Sequence, residues 1–211
     1  MTTLPGSQPT ATPFNCVFAG SISYYARMLR AGTVCFDTES AVTRRDKSHN
    51  HCHIIDANGP ISLTIPIERP AHWHGYHVRD MRISEHGDWR HTHLGAIFSA
   101  YGKAPFFEYI APDLKALYER GDRWLVDFNM AMHNLIVDFL YLPITTVDTD
   151  GMEHSGVVTD DYAPCHAEYY QIWAQKHGFA SRLSILDLLM NTGREAIFTL
   201  KAICETLHTA T

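Results

Sequence analysis

The chain has 211 residues, 45% hydrophobic and 19% charged, with a formal net charge of -6 at neutral pH. That length supports one well-filled core, and the composition is that of a globular protein. An acidic balance without basic runs argues against nucleic acid or an anionic membrane surface as the main partner, and no apolar stretch reaches the roughly 20 residues of a membrane span.

Residues 1–13 are rich in Thr, Pro, Ser and Gly and lack an apolar segment. They read as a disordered arm rather than a signal peptide, leaving 14–207 as a single domain. The five cysteines, Cys16, Cys35, Cys52, Cys165 and Cys204, are scattered without a CxxC pair. Reduced, mostly buried thiols in a cytoplasmic protein fit that pattern. Cys52, among polar neighbours, is the one to consider as a nucleophile.

In chain order, Phe14–Ala19 is a short apolar run ending at Gly20-Ser21. Ile22–Arg30 has helical spacing and stops at Gly32, and Thr33–Asp37 reads as a second strand. This is the outline of a βαβ unit. The N–H groups at the start of that helix are suited to hold a phosphate or carboxylate, although Gly20 alone is no phosphate-binding fingerprint. His51–Asp56 and Ile61–Ile67 flank Ala57-Asn58-Gly59-Pro60, a hairpin signal. Val78–Ser84 is a further strand candidate. Asp88 is placed to cap a helix over Trp89–Tyr101. Helices are expected over Asp113–Arg120, Trp124–Leu142 and Glu168–His177, with a late strand at Ile144–Thr149. Ser184 to Asp187 is a capping-box pattern opening Ser184–Asn191, and Arg194–Leu207 is the last helix. The fold class is α/β or α+β: a βαβ start and a hairpin in a mixed sheet, then a helix-rich C-terminal half.

The helix Asp88–Tyr101 carries the most telling polar residues. Trp89, His93 and Ile97 recur every four positions, with Arg90, Leu94 and Tyr101 placed on the adjacent face. Apolar walls with convergent polar groups suit a small-molecule pocket, and His93 titrates in the right range for a general base. The bland alternative is a core histidine satisfied by a backbone carbonyl. Asn129 falls on the apolar face of its helix and must find hydrogen bonds there. Asp187 has an easy structural explanation in the capping box, which lowers it as a catalytic candidate. Of the fourteen histidines, nine cluster as His49, His51, His53, then His72, His74, His77, then His86, His91, His93. Alternate histidines on one strand are poor joint ligands, no carboxylate sits at a familiar offset, and HExxH and HxxEH are absent. No metal and no cofactor is assigned. GxSxG, Walker A and full GxGxxG motifs are also absent.

Taken together, these residues resemble the WbqC-like proteins, which are bacterial and often encoded near surface-polysaccharide genes. The similarity rests on Ser23-Tyr24-Tyr25, Val34–Asp37, Asn50 and Cys52, Gly59 with Leu63–Ile67, and above all Gly87–His93 through Tyr101 and Pro105-Phe106-Phe107. Asp127-Phe128-Asn129, Lys176-His177-Gly178 and Ser184–Gly193 extend it. The resemblance implies modification of an activated sugar, with acyl or aminoacyl transfer to a nucleotide-linked amino sugar as one reaction. It carries no established catalytic residue. Where relatives tend to have Arg-Asn-Arg this chain has His49-Asn50-His51, and an upstream lysine becomes Arg45. If those side chains hold an anion, this protein holds it more weakly and with pH dependence.

The resulting expectation is a small-molecule site, the resemblance implying a nucleotide-linked sugar as substrate. His93 and Tyr101 are the catalytic candidates. Tyr24, Asp37, Arg45, His49, Asn50, His51, Trp89, Arg90 and Asn129 are the substrate-binding candidates. A non-catalytic binding or scaffold protein and a metal-dependent hydrolase are the alternatives.

Overall fold

The structure, a computed structural model, describes residues 11–42, 49–148 and 156–208. Strand β1 (Thr12–Asn15) leads through helix α1 (Ile22–Ala31) to strand β2 (Thr33–Asp37), which pairs parallel to β1. This is the βαβ unit read from the sequence. β1 starts at Thr12, so Thr12 and Pro13 belong to the sheet and not to an arm; residues 1–10 lie outside the described residues. Pro13 is tolerated because it offers only its carbonyl, accepting from Val158 N at 2.9 Å, on the side where a single bridge replaces a full strand. α1 is delimited by its caps. The Ser21 hydroxyl accepts from Tyr24 N at 3.1 Å, and Gly32, at φ +72°, closes the far end by donating to Met28 O.

The hairpin is β3 (His51–Asp56) and β4 (Gly59–Thr64), antiparallel, joined by Ala57-Asn58. It forms a sheet of its own beside the parallel one. β4 ends earlier than the alternating pattern suggests: Ile67 makes only an isolated bridge to Ile83. Pro66, which has no N–H to give, lies between the strand end and that bridge. The strand expected over Val78–Ser84 does not form. Val78–Asp80 is a 3-10 turn, because the Asp80 carboxylate reaches back to His77 N at 3.1 Å.

Four long helices follow or close the chain: α2 (Trp89–Tyr101), α3 (Phe107–Glu119), α4 (Leu125–Leu140) and, last, α7 (Ala196–His208). α3 starts six residues before the expected Asp113 and carries Pro112 inside it. Between α4 and α7 come the two-residue strand β5 (Thr145–Thr146), the short α5 (Ala174–His177) and α6 (Ile185–Thr192). β5 pairs parallel to β2. The helix expected from Glu168 shrinks to α5 because Gln171 is held from the side: its amide donates to Ala180 O and accepts from Ala180 N, each at 2.9 Å. One continuous apolar cluster joins β1, α1 and β2 to β3, α2, α3, α4, α6 and α7. Among the described residues no helix is long and apolar enough to cross a membrane.

Candidate functional site

Beyond β1, opposite β2, Phe14 makes a parallel bridge to Val158, so the sequence order turns back between these two segments. In open parallel sheets that is where ligands usually sit, beyond the strand ends and against a helix N-terminus. Here the α1 N-terminus holds a carboxylate from the same chain. Asp160 accepts from Ser21 N and from the Ser21 hydroxyl, both at 2.6 Å, and Asn15 Oδ1 accepts from Asp160 N. Burial raises the Asp160 pKa against the pull of these donors. Gly20 makes the approach possible: a Cβ there would come within 2.7 Å of Tyr24 and 3.1 Å of Asp160 Oδ2. The expected anion position is thus real, and an internal carboxylate fills it.

The residues nominated from the sequence divide among four places. Asp37 ends β2, and Tyr24, on α1, reaches the end of β1. The Tyr24 hydroxyl donates to Asn15 O, and Asp37 accepts from Glu39 N at 2.9 Å, Ser40 N at 3.1 Å and the Ser40 hydroxyl. Asn50 and His51 hold the open end of the hairpin. Asn50 Nδ2 donates to Ile65 O at 2.7 Å, and His51 Nδ1 lies 2.9 Å from Asn50 Oδ1. His49 precedes β3 rather than lying in it, and its Nδ1 is 2.6 Å from Cys16 O. Asn129 Nδ2 donates to His49 O at 2.8 Å. Arg45 lies outside the described residues.

The fourth place is α2. Trp89, His93, Ile97 and Tyr101 are all buried, so Tyr101 continues the Trp89 stripe instead of the adjacent face. Its hydroxyl donates to Asp187 Oδ1 at 2.8 Å, away from His93, eight residues back on the helix. Asp187 also accepts from the Tyr169 hydroxyl at 2.5 Å and Gln171 Nε2 at 3.0 Å. The capping box is therefore a misreading: Ser184 caps α6, while Asp187 turns inward as the acceptor of a buried network. Desolvation lifts its pKa to about 6 despite these donors.

His93 has both ring nitrogens engaged: Nε2 is 3.0 Å from Thr64 O and Nδ1 is 3.2 Å from the Tyr118 hydroxyl. A carbonyl only accepts, so Nε2 carries the proton and Nδ1 accepts from Tyr118. Burial lowers the His93 pKa to about 4. Cavities lie on either side of this pair. His93 and Trp89 line a groove of about 520 Å³ between β4 and α2. Tyr118 lines a cavity of about 390 Å³ with Arg90, His91 and Lys115. The Arg90 guanidinium lies 4.6 Å over the Trp89 ring and donates to Asp122 O at 3.3 Å. Phe18 ties this region to His49 and Asn129: its ring stacks on His93 at 5.8 Å and its N–H donates to His49 O.

Tyr118 and Asp160 went unnominated. Neither has a sequence signal; Tyr118 sits at an apolar position of α3, and Asp160 lies in an acidic loop. Cys52, considered as a nucleophile, is fully buried in β3, and burial pushes its thiol pKa up, which leaves it inert. Among the described residues no three His, Cys, Asp or Glu side chains are grouped to hold a metal ion.

No curated protein and no solved structure matches the chain. The WbqC-like protein family matches residues 18–163, which takes in β2 to β5, α1 to α4, the His93–Tyr118 pair and Asp160, and stops short of α6. With more than half its length matched, the chain belongs to the WbqC-like protein family.

Proposed function

We propose that this protein is an enzyme of bacterial surface-polysaccharide synthesis that binds a nucleotide-linked amino sugar beside α2 and transfers an acyl or aminoacyl group to its amine. The observation that carries the reading is the cavity where Arg90, His91 and Lys115 meet Tyr118, whose hydroxyl is bonded to His93. Arg90 and Lys115, whose exposed partners Glu85 and Glu119 lie 3.5 and 3.7 Å away, suit a diphosphate that takes the place of those carboxylates, and Arg favours the planar, bidentate contacts that phosphate offers. In the transfer, the amine nitrogen attacks the carbonyl of an activated acyl donor. The new C–N bond forms, the bond to the carrier breaks, and the amine proton passes by way of the Tyr118–His93 pair to the departing carrier. In the ligand-free chain the imidazole is a weak base; a bound polyanion next to it raises its basicity.

The test is thermal shift of the full chain against nucleotide-linked sugars at millimolar concentration. Stabilisation by at least one of them, lost in Arg90→Ala and kept in Arg79→Ala, is the expected result. No shift with any member of the panel refutes the reading.

A second reading has its own support: with both His93 nitrogens satisfied, the pair also suits a binding or scaffold protein without turnover. Tyr118→Phe separates the two. It removes the hydroxyl and keeps the ring, so loss of turnover with binding intact favours the enzyme, and unchanged function favours the scaffold.

A further inference from the structure

We infer that the protein carries a second ligand site, a cleft for a neutral saccharide built by α3, α4, α6, α7 and the segment before α5. The inference rests on the lining of that cleft alone and not on the function proposed above. Two cavities, about 700 and 350 Å³, share Phe106 and Glu195 in their walls and so form one two-lobed cleft. Its borders carry Tyr109, Tyr170 and Phe198, which are 70%, 60% and 70% exposed. One exposed aromatic side chain is ordinary; three around a single cleft mark a recognition surface.

The polar lining selects the ligand. Asp113 in one lobe, Glu168 in the other and Glu195 between them outnumber the guanidinium of Arg194, which lines the first lobe and lies 4.0 Å over the Tyr141 ring. Protein interfaces deplete Asp and Glu at their centres, so the carboxylates disfavour an apolar protein partner. Their excess negative charge also disfavours nucleotides and uronates. A saccharide answers both halves of the lining: its C–H faces stack on aromatic rings, and its vicinal hydroxyls donate in pairs to carboxylates.

The shared wall is built to stay in place. Phe106 N donates to Met190 O at 3.1 Å, and the Phe106 ring lies where a Cβ on Gly193 would be, 2.4 Å away. Asn191, in the second lobe, is fixed from both ends: Nδ2 donates to Asp187 O at 2.8 Å and Oδ1 accepts from Ile172 N at 3.0 Å. A cleft held rigid by its own backbone loses less entropy on binding. Phe106, Tyr109, Asp113 and Phe139 in its wall fall within the part of the chain that the family matches, while Glu168, Tyr170, Asn191, Glu195 and Phe198 lie beyond residue 163, outside it.

The test is saturation-transfer NMR and calorimetry on the full chain, with neutral hexose and N-acetylhexosamine oligomers as probes and glucuronate and a nucleoside diphosphate as anionic controls. Neutral oligomers are expected to bind, and Phe198→Ala or Tyr109→Ala, both exposed positions, to weaken binding about tenfold. Thermal melts establish that these variants stay folded, and Arg90→Ala is expected to leave saccharide binding unchanged. Three results overturn the inference: no neutral oligomer binding at millimolar concentration, affinity unaltered in both aromatic variants, or preference for the anionic controls. Self-association in sedimentation that disappears in Phe198→Ala, without saccharide binding, would assign the cleft to a second copy of the chain instead.

Discussion

Acidification should destabilise this protein in a way that two buried histidines account for. Burial lowers the pKa of both His93 and His133 to about 4, against 6.5 for a free histidine. The His133 ring lies between the Tyr25 hydroxyl and Thr146 Oγ1, at 3.3 and 3.2 Å. Between pH 6.5 and 4 the unfolded chain binds two protons that the folded chain refuses, so stability falls as pH falls. From pH 7 to pH 5 each histidine removes about 2 kcal/mol. Asp187 acts in the opposite direction. Its folded pKa is raised to about 6, so the folded state takes up its proton first and regains about 1 kcal/mol over the same interval. The net loss is between about 2 and 3 kcal/mol. Urea unfolding of the wild type and His133→Gln at pH 7 and pH 5 measures it. Glutamine keeps a hydrogen-bonding amide and does not titrate. The variant is expected to be weaker at pH 7 yet to lose about 2 kcal/mol less on acidification. An equal loss in the two proteins would refute the assignment to His133.

Two further outcomes follow from the packing. Asp160→Ala leaves Ser21 N and the Ser21 hydroxyl without their acceptor in a buried place, and is expected to cost about 2–3 kcal/mol in chemical denaturation. Gly193→Ala forces a Cβ to within 2.4 Å of the Phe106 ring at a residue with φ +53°, and is expected to cost about 3 kcal/mol or more in the same assay.

Local chemistry made much of this fold legible. The caps Ser21, Asp88 and Ser184 open α1, α2 and α6, and Gly32 closes α1, because a helix end is a matter of a few neighbouring donors and acceptors. Ala57-Asn58 turns the hairpin for the same reason. Spacing by four fixed Trp89 and His93 on the buried face of α2, where they line a groove.

What local chemistry leaves open is the partner across the fold. Asp187 carries a capping pattern, yet its carboxylate binds Tyr101, 86 positions earlier in the chain. Ser21 meets Asp160 across 139 positions, and His93 meets Tyr118 across 25. Sequence fixes which groups can donate and accept; only the tertiary packing chooses which of them are desolvated together, and that choice sets the pKa values of His93, His133 and Asp187. The helix read from the start as the centre of the molecule's chemistry keeps its buried stripe, but the hydroxyl behind its histidine comes from another helix. The carboxylate at the end of the stripe is one that the sequence had marked as a cap.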